Sequence, residues 1–136
     1  MPKAANLAAD GQLAHSTGQP VVILFSRTPC GWCDKARREH LDAMATQAAA
    51  QPGSALFRQI DLDSDAPLID FSGQRTRHRD FARKHSVTMT PTLLFLAADG
   101  RDLAAPIVGY RLAEFYGTLI EDAIEDSRDR LRSNAK

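Results

Sequence analysis

An apolar run, Val21-Val22-Ile23-Leu24-Phe25, leads within a few residues to Cys30-Gly31-Trp32-Cys33 and then to the helix-prone stretch Asp34-Lys35-Ala36-Arg37-Arg38-Glu39. No other feature of the chain constrains its fold as tightly. A strand that passes through a short turn into a helix sets Cys30 at the helix N-terminus and Cys33 one turn later on the same face, where the two sulfurs can close a small ring. There Cys30 faces backbone N–H groups that lack intrahelical partners, together with the positive end of the helix, and both favour a thiolate over a thiol. These are the only two cysteines. A chain of 136 residues is long enough to bury about 70% of its unfolded surface without staples. The pair therefore implies redox chemistry rather than structural clamping.

Basic and acidic side chains balance at 17 each, so no net field draws the chain to nucleic acid or to an anionic membrane. The partners expected are proteins carrying thiols or disulfides, small thiols, and a redox partner protein. No apolar run approaches the roughly 20 residues of a membrane span, and the Ala-rich start lacks the continuous apolar core of a signal peptide. A soluble chain without membrane insertion is expected. A C-x-x-C pair works in reducing cytosol and in oxidising space alike, so composition leaves the compartment open. Met1-Pro2-Lys3 fits a native start as well as one that follows a removed leader.

Along the chain, Leu7, Ala8, Leu13 and Ala14 suggest a first helix, weakened by Gly11 and ended by Gly18-Gln19-Pro20. Val21 to Phe25 is continuous, apolar and rich in β-branched residues, as in a strand buried on both faces. After the cysteines, Ala36, Leu41, Met44 and Ala48 line one side of a helix that Pro52-Gly53 terminates, and Lys35, Arg38 and Asp42 lie on the other. Ala55 to Leu62 alternates as a second strand, which the helical crossover makes parallel to the first. A polar insert with turn chemistry follows. Then come a short helix over Arg77 to His85 capped by Thr76, a strand over Thr92 to Ala97, a turn at Asp99-Gly100 and a short antiparallel edge strand at Pro106-Ile107-Val108. Leu112, Phe115, Tyr116, Leu119, Ile120, Ala123, Ile124 and Leu131 trace the apolar stripe of a long closing helix.

Three pieces stand in the order of a known family: Cys30-Gly31-Trp32-Cys33, then Thr90-Pro91-Thr92 before a hydrophobic strand, then Gly109-Tyr110 opening the last helix. The chain resembles the thioredoxin-like proteins over about residues 20 to 125. In detail it is most similar to bacterial periplasmic thioredoxin-fold proteins related to the sulfur-oxidation thioredoxins and the disulfide isomerases. The resemblance implies an α/β thioredoxin fold, a central mixed β-sheet flanked by helices. Residues 1–19 would form an N-terminal helical extension and residues 20–136 the thioredoxin-fold domain. It further implies that Pro91 is a cis-proline against the cysteine pair, that Thr90 presents backbone groups to an extended substrate, and that the compartment is the periplasm, with cytoplasm as the alternative. A monomer without cofactor or metal is expected.

The expected activity is thiol-disulfide exchange that reduces or isomerises protein disulfides. Cys30 attacks, a mixed disulfide forms, and Cys33 resolves it. Arg27, Lys35 and Arg37 add screened charge on a solvated face. Trp32, flanked by the cysteines, either contacts substrates or packs on the turn. Two departures from thioredoxin proper stand out: Leu24 occupies the place of the acid buried beneath the cysteines, and Pro29 replaces the tryptophan before the first cysteine. An N-terminal first strand is not evident.

Other readings of these residues are weaker. His15, His40, His78 and His85 do not supply the close histidine pair that completes a zinc finger, and no second C-x-x-C exists. Asp61, Asp63 and Asp65 imitate the start of a calcium loop, but Ala66 and Ser72 stand where the glycine and closing glutamate are needed. Arg75, Arg77, Arg79, Arg83 and Lys84 read as a solvated face, with selection of an acidic partner as the alternative. A rival to the enzyme is a thioredoxin-fold adaptor whose cysteines only sense redox state.

Overall fold

The computed structural model describes residues 1–134. In chain order the elements are α1 (Leu7–Thr17), β1 (Val21–Ser26), α2 (Gly31–Ala36), a π-helical turn (Arg37–Leu41) running into α3 (Asp42–Ala50), β2 (Leu56–Asp61), β3 (Pro67–Ile69), β4 (Arg75–Arg77), α4 (His78–Lys84), β5 (Thr92–Leu96), β6 (Ile107–Val108) and α5 (Ala113–Asn134). The central sheet has the order β2-β1-β5-β6. β1 is parallel to β2 and antiparallel to β5, with Phe25 opposite both Ile60 and Thr92, and β6 is antiparallel to β5. This is the thioredoxin fold, a mixed sheet with helices on both faces and an N-terminal helix.

The continuous apolar run explains the position of β1. All six of its residues are buried, and burial of each large side chain contributes about 2 kcal/mol, which only a mid-sheet strand covered on both faces can collect. Alternation sorts the strand residues between two clusters. Val22 and Leu24 join Ala36, Leu41, Phe57, Leu93, Phe95, Tyr116 and Ile120 beneath α2, α3 and α5. Val21, Ile23 and Phe25 join Leu7, Ala14, Ile60, Phe81 and Leu96 beneath α1 and α4. Leu7 and Ala14 thus place α1 in the same core as the strands.

Helix α1 starts on Asn6, whose side chain accepts from the Ala9 N–H at 3.0 Å, and stops on Gly18 in the left-handed conformation, φ 66°. Its weak point in the sequence, Gly11, is a packing requirement. A Cβ there would stand 3.2 Å from the Ala98 carbonyl oxygen. Leu13, expected on the apolar side, is half exposed.

Several expectations are corrected. Thr76 lies in β4, paired opposite Leu68, and α4 begins after Arg77 without a side-chain cap. The polar insert holds the β3–β4 hairpin, because three-residue strands carry too little alternation to read. Gly109 and Tyr110 precede α5 instead of opening it, since Leu112 takes a left-handed φ of 50° before the helix begins at Ala113. Leu112, Phe115 and Leu119 face solvent, and the buried stripe of α5 is Tyr116, Ile120, Ala123, Ile124 and Ser127. The chain start does meet the sheet: Lys3 bridges in parallel to Gln59, with Ala4 N–H donating to the Gln59 carbonyl at 2.9 Å.

Candidate active site

Because β1 ends at Ser26 and α2 begins at Gly31, Cys30 falls at the N-cap of α2 with extended backbone. Its sulfur accepts from the Cys33 N–H at 3.1 Å, taking the place of a capping oxygen. Cys30 and Cys33 form a disulfide with their Cα atoms 5.3 Å apart. Cys30 is partly exposed, whereas Cys33 is fully buried. Only the first sulfur can be reached from outside.

The loop before β5 closes over that sulfur. Thr90 Oγ1 lies 3.5 Å from Cys30 Sγ, and Pro91, buried, follows through a cis peptide bond. A second cis bond joins Thr28 to Pro29. The Pro91 carbonyl accepts from Gly109 N–H at 2.7 Å, which ties the loop to β6. Arg27, which leaves β1 toward the same loop, donates from Nε to Thr90 Oγ1 at 2.9 Å and from Nη2 to the Thr88 carbonyl at 3.1 Å.

Trp32 is 60% exposed. The Lys35 ammonium sits 5.7 Å from its ring centre, and Tyr110 lies 6.5 Å away, centroid to centroid. Met89, next to Thr90 in the loop before β5, and Val108, paired opposite Thr92, are also exposed. Tyr110 is buried against Tyr116 and His40 and donates its hydroxyl to Glu39. Burial, then the hydrogen bond and charge of Glu39, push the Tyr110 hydroxyl up to about 12. Burial also pushes Tyr116 up. The π-helical turn carries both Glu39 and His40, whose Nε2 lies 3.0 Å from the Ala113 carbonyl oxygen. This brace between the cysteine helix and the start of α5 had no signal in the sequence, because a π turn and a straight helix share the same apolar residues.

Beneath the pair, Leu24 lies wholly in the apolar cluster. The polar groups on that side gather at the strand ends instead. Arg37 donates to Ser26 Oγ at 3.1 Å and to Gln59 Oε1 at 3.3 Å, and pairs with Asp34. Gln59 donates to Asp61 at 2.8 Å, and Lys3 pairs with Asp61 at 3.0 Å. Burial alone would raise the Asp61 carboxyl, but the hydrogen bonds from Gln59 and Lys3 and the Lys3 charge outweigh it and hold it below its ordinary value.

The remaining candidates serve structure. Asp63 accepts from the Thr28 N–H at 3.2 Å, while Asp65 pairs with Arg77 and Arg79, and Arg77 also with Asp80. Two of the five basic residues therefore spend their charge inside the insert. His78 is buried between the Asp61 N–H, which donates to its Nδ1 at 3.1 Å, and the Ala4 carbonyl, 2.8 Å from its Nε2. Among the described residues no three or more His, Cys, Asp or Glu side chains gather as metal ligands, and no helix is long and apolar enough to cross a membrane.

Residues 7–124 match the thioredoxin-like domain family. No curated protein matches the chain in sequence. Among solved structures, thioredoxin from Fasciola hepatica superposes with a TM-score of 0.60 at 22% identity, covering 92% of this chain and 97% of that one. Oxidised mitochondrial thioredoxin 3 from Saccharomyces cerevisiae gives 0.56 at 25% identity, with 93% and 94% covered. Spinach chloroplast thioredoxin f gives 0.57 at 16%, with 93% and 92% covered.

Proposed function

Because the chain belongs to the thioredoxin-like family and closes its cysteine pair at a helix N-terminus, it is a thiol-disulfide oxidoreductase, and we propose that it reduces or isomerises disulfides of protein substrates in the periplasm. The observation that carries this reading is the asymmetry of the pair. An accessible Cys30 caps the helix while Cys33 is shut away one turn below. The Cys30 thiolate attacks a substrate sulfur, the Cys30–S bond forms, the substrate S–S bond breaks and its electron pair leaves on the second substrate sulfur. Cys33 then attacks Cys30, the substrate departs as a dithiol, and a separate redox protein or small thiol returns two electrons to the disulfide.

Exposed Trp32, Met89 and Val108 supply contact area for an unfolded or extended polypeptide, which supports protein disulfides over small ones. Leu24 offers no proton acceptor to the buried Cys33, so that proton must pass to water or to another group during resolution, and slow resolution favours isomerisation, in which the substrate itself releases Cys30. The periplasm is supported by the sequence resemblance alone. We take the working unit to be a monomer.

Insulin reduction with dithiothreitol as electron source tests the reading. Wild type is expected to turn over and Cys30→Ser to be inert. Equal rates for the two would replace the enzyme with an adaptor whose cysteines merely report redox state. Alkylation of the pair in intact cells and in the periplasmic fraction tests the compartment. Recovery of the protein in the periplasmic fraction is expected, and its recovery with cytosolic markers would contradict the placement.

A further inference from the structure

We propose that Arg27 is a positioning residue for the exchange reaction, orienting the Thr90 hydroxyl as a hydrogen-bond donor to the Cys30 sulfur. The proposal rests on the redox reading of the cysteine pair and deepens it. Arg27 is exposed and far from Thr90 in sequence, and as a point charge in water its effect on Cys30 would be small and screened. The geometry gives it a different route.

A guanidinium can only donate. Arg27 Nε–H points to Thr90 Oγ1 at 2.9 Å, so a lone pair of that oxygen is occupied by a fixed donor, and Nη2–H holds the Thr88 carbonyl at 3.1 Å. The fork thus clamps the loop by two atoms at once. Thr90 retains one proton, and the acceptor facing it is Cys30 Sγ at 3.5 Å. A disulfide sulfur or a thiolate has no proton to give, so Thr90 donates and Cys30 accepts. The positive charge of Arg27 polarises the O–H bond and strengthens it as a donor. With the Cys33 N–H at 3.1 Å, a reduced Cys30 receives two directed hydrogen bonds.

The other charges around the pair are engaged elsewhere. Asp34 pairs with Arg37, Lys35 lies over Trp32, Asp63 accepts from the Thr28 N–H, and Glu39 accepts from Tyr110. When a substrate disulfide is reduced, the two bonds hold the attacking thiolate. When Cys30 is displaced from a mixed disulfide, they receive the electron pair that leaves on its sulfur. Either way the groups stabilise the same ion.

The test is ultraviolet titration of the Cys30 thiolate in a Cys33→Ser background, which needs no substrate. Arg27→Ala is expected to raise the midpoint by about half a pH unit and Thr90→Val by at least as much, the worth of one hydrogen bond. In the Thr90→Val background Arg27→Ala is expected to add nothing, and this result separates orientation from bulk charge. Arg27→Lys, which keeps the charge but lacks the fork, is expected to shift in the same direction as Arg27→Ala and serves if that variant does not fold. With Cys33 present, the equilibrium constant against glutathione is expected to move about threefold toward the disulfide in Arg27→Ala. An unmoved midpoint in Arg27→Ala, or a shift that persists undiminished beside Thr90→Val, would overturn the proposal. Those outcomes leave insulin reduction by the wild type untouched, whereas loss of insulin reduction alongside the expected shifts would overturn the functional reading and spare this one.

Discussion

Cys30 and Cys33 carry the same side chain, and one helical turn gives them different surroundings. The N-cap position leaves the first partly open to solvent and to a backbone N–H donor, while the second is buried in the core. That difference was legible in the sequence, since strand, turn and helix fix which cysteine comes first. The Arg27–Thr90–Cys30 contact was not, because it joins residues that only the folded loop before β5 brings together. Trp32 stands between these cases: its position was plain, and its 60% exposure favours contact with substrate. Trp32→Ala is expected to raise KM for insulin about tenfold, as for loss of an aromatic anchor, with kcat and the rate on a small disulfide nearly unchanged. Steady-state kinetics on both substrates checks this, and equal losses on the two would place the ring in turn packing instead.

The elements follow their local signals wherever the signal is strong. β1 reads from its unbroken apolar run, and β5 and β6 from apolar residues bounded by turn chemistry. The failures share a physical cause. Thr76 looks like a cap but pairs with Leu68, since strand hydrogen bonds can take a capping residue when the partner strand lies close. Gly109-Tyr110 looks like a helix start, yet Tyr110 is held back by its bond to Glu39 and its contact with Tyr116. Gly18 is the element-scale test of a legible signal. At φ 66° it ends α1 in a conformation that disfavours a Cβ, so Gly18→Ala is expected to lower stability by about 1 kcal/mol in urea unfolding. No loss would mean that the helix end relaxes at no cost.

At the scale of the molecule, the sheet divides two apolar clusters and gathers buried polar groups at its ends. Asp61 joins the chain start to β2 there, through Lys3 and Gln59. Its carboxyl titrates below 3.8 in the fold, so its stabilising contribution is complete above about pH 3.8 and is lost as pH falls through the lowered value. Wild type is therefore expected to lose more urea resistance on acidification through this window than Asp61→Asn, which keeps an acceptor for Gln59 but no titrating charge. Parallel curves would assign the acid sensitivity elsewhere. Whether Cys30 is the sulfur that meets substrate is tested most directly by trapping. After mixing with a disulfide-bonded protein, intact mass should show a stable mixed disulfide on Cys30 in Cys33→Ser and no adduct in Cys30→Ser. Adduct formation through Cys33, or none in either variant, would contradict the assignment of that role to Cys30.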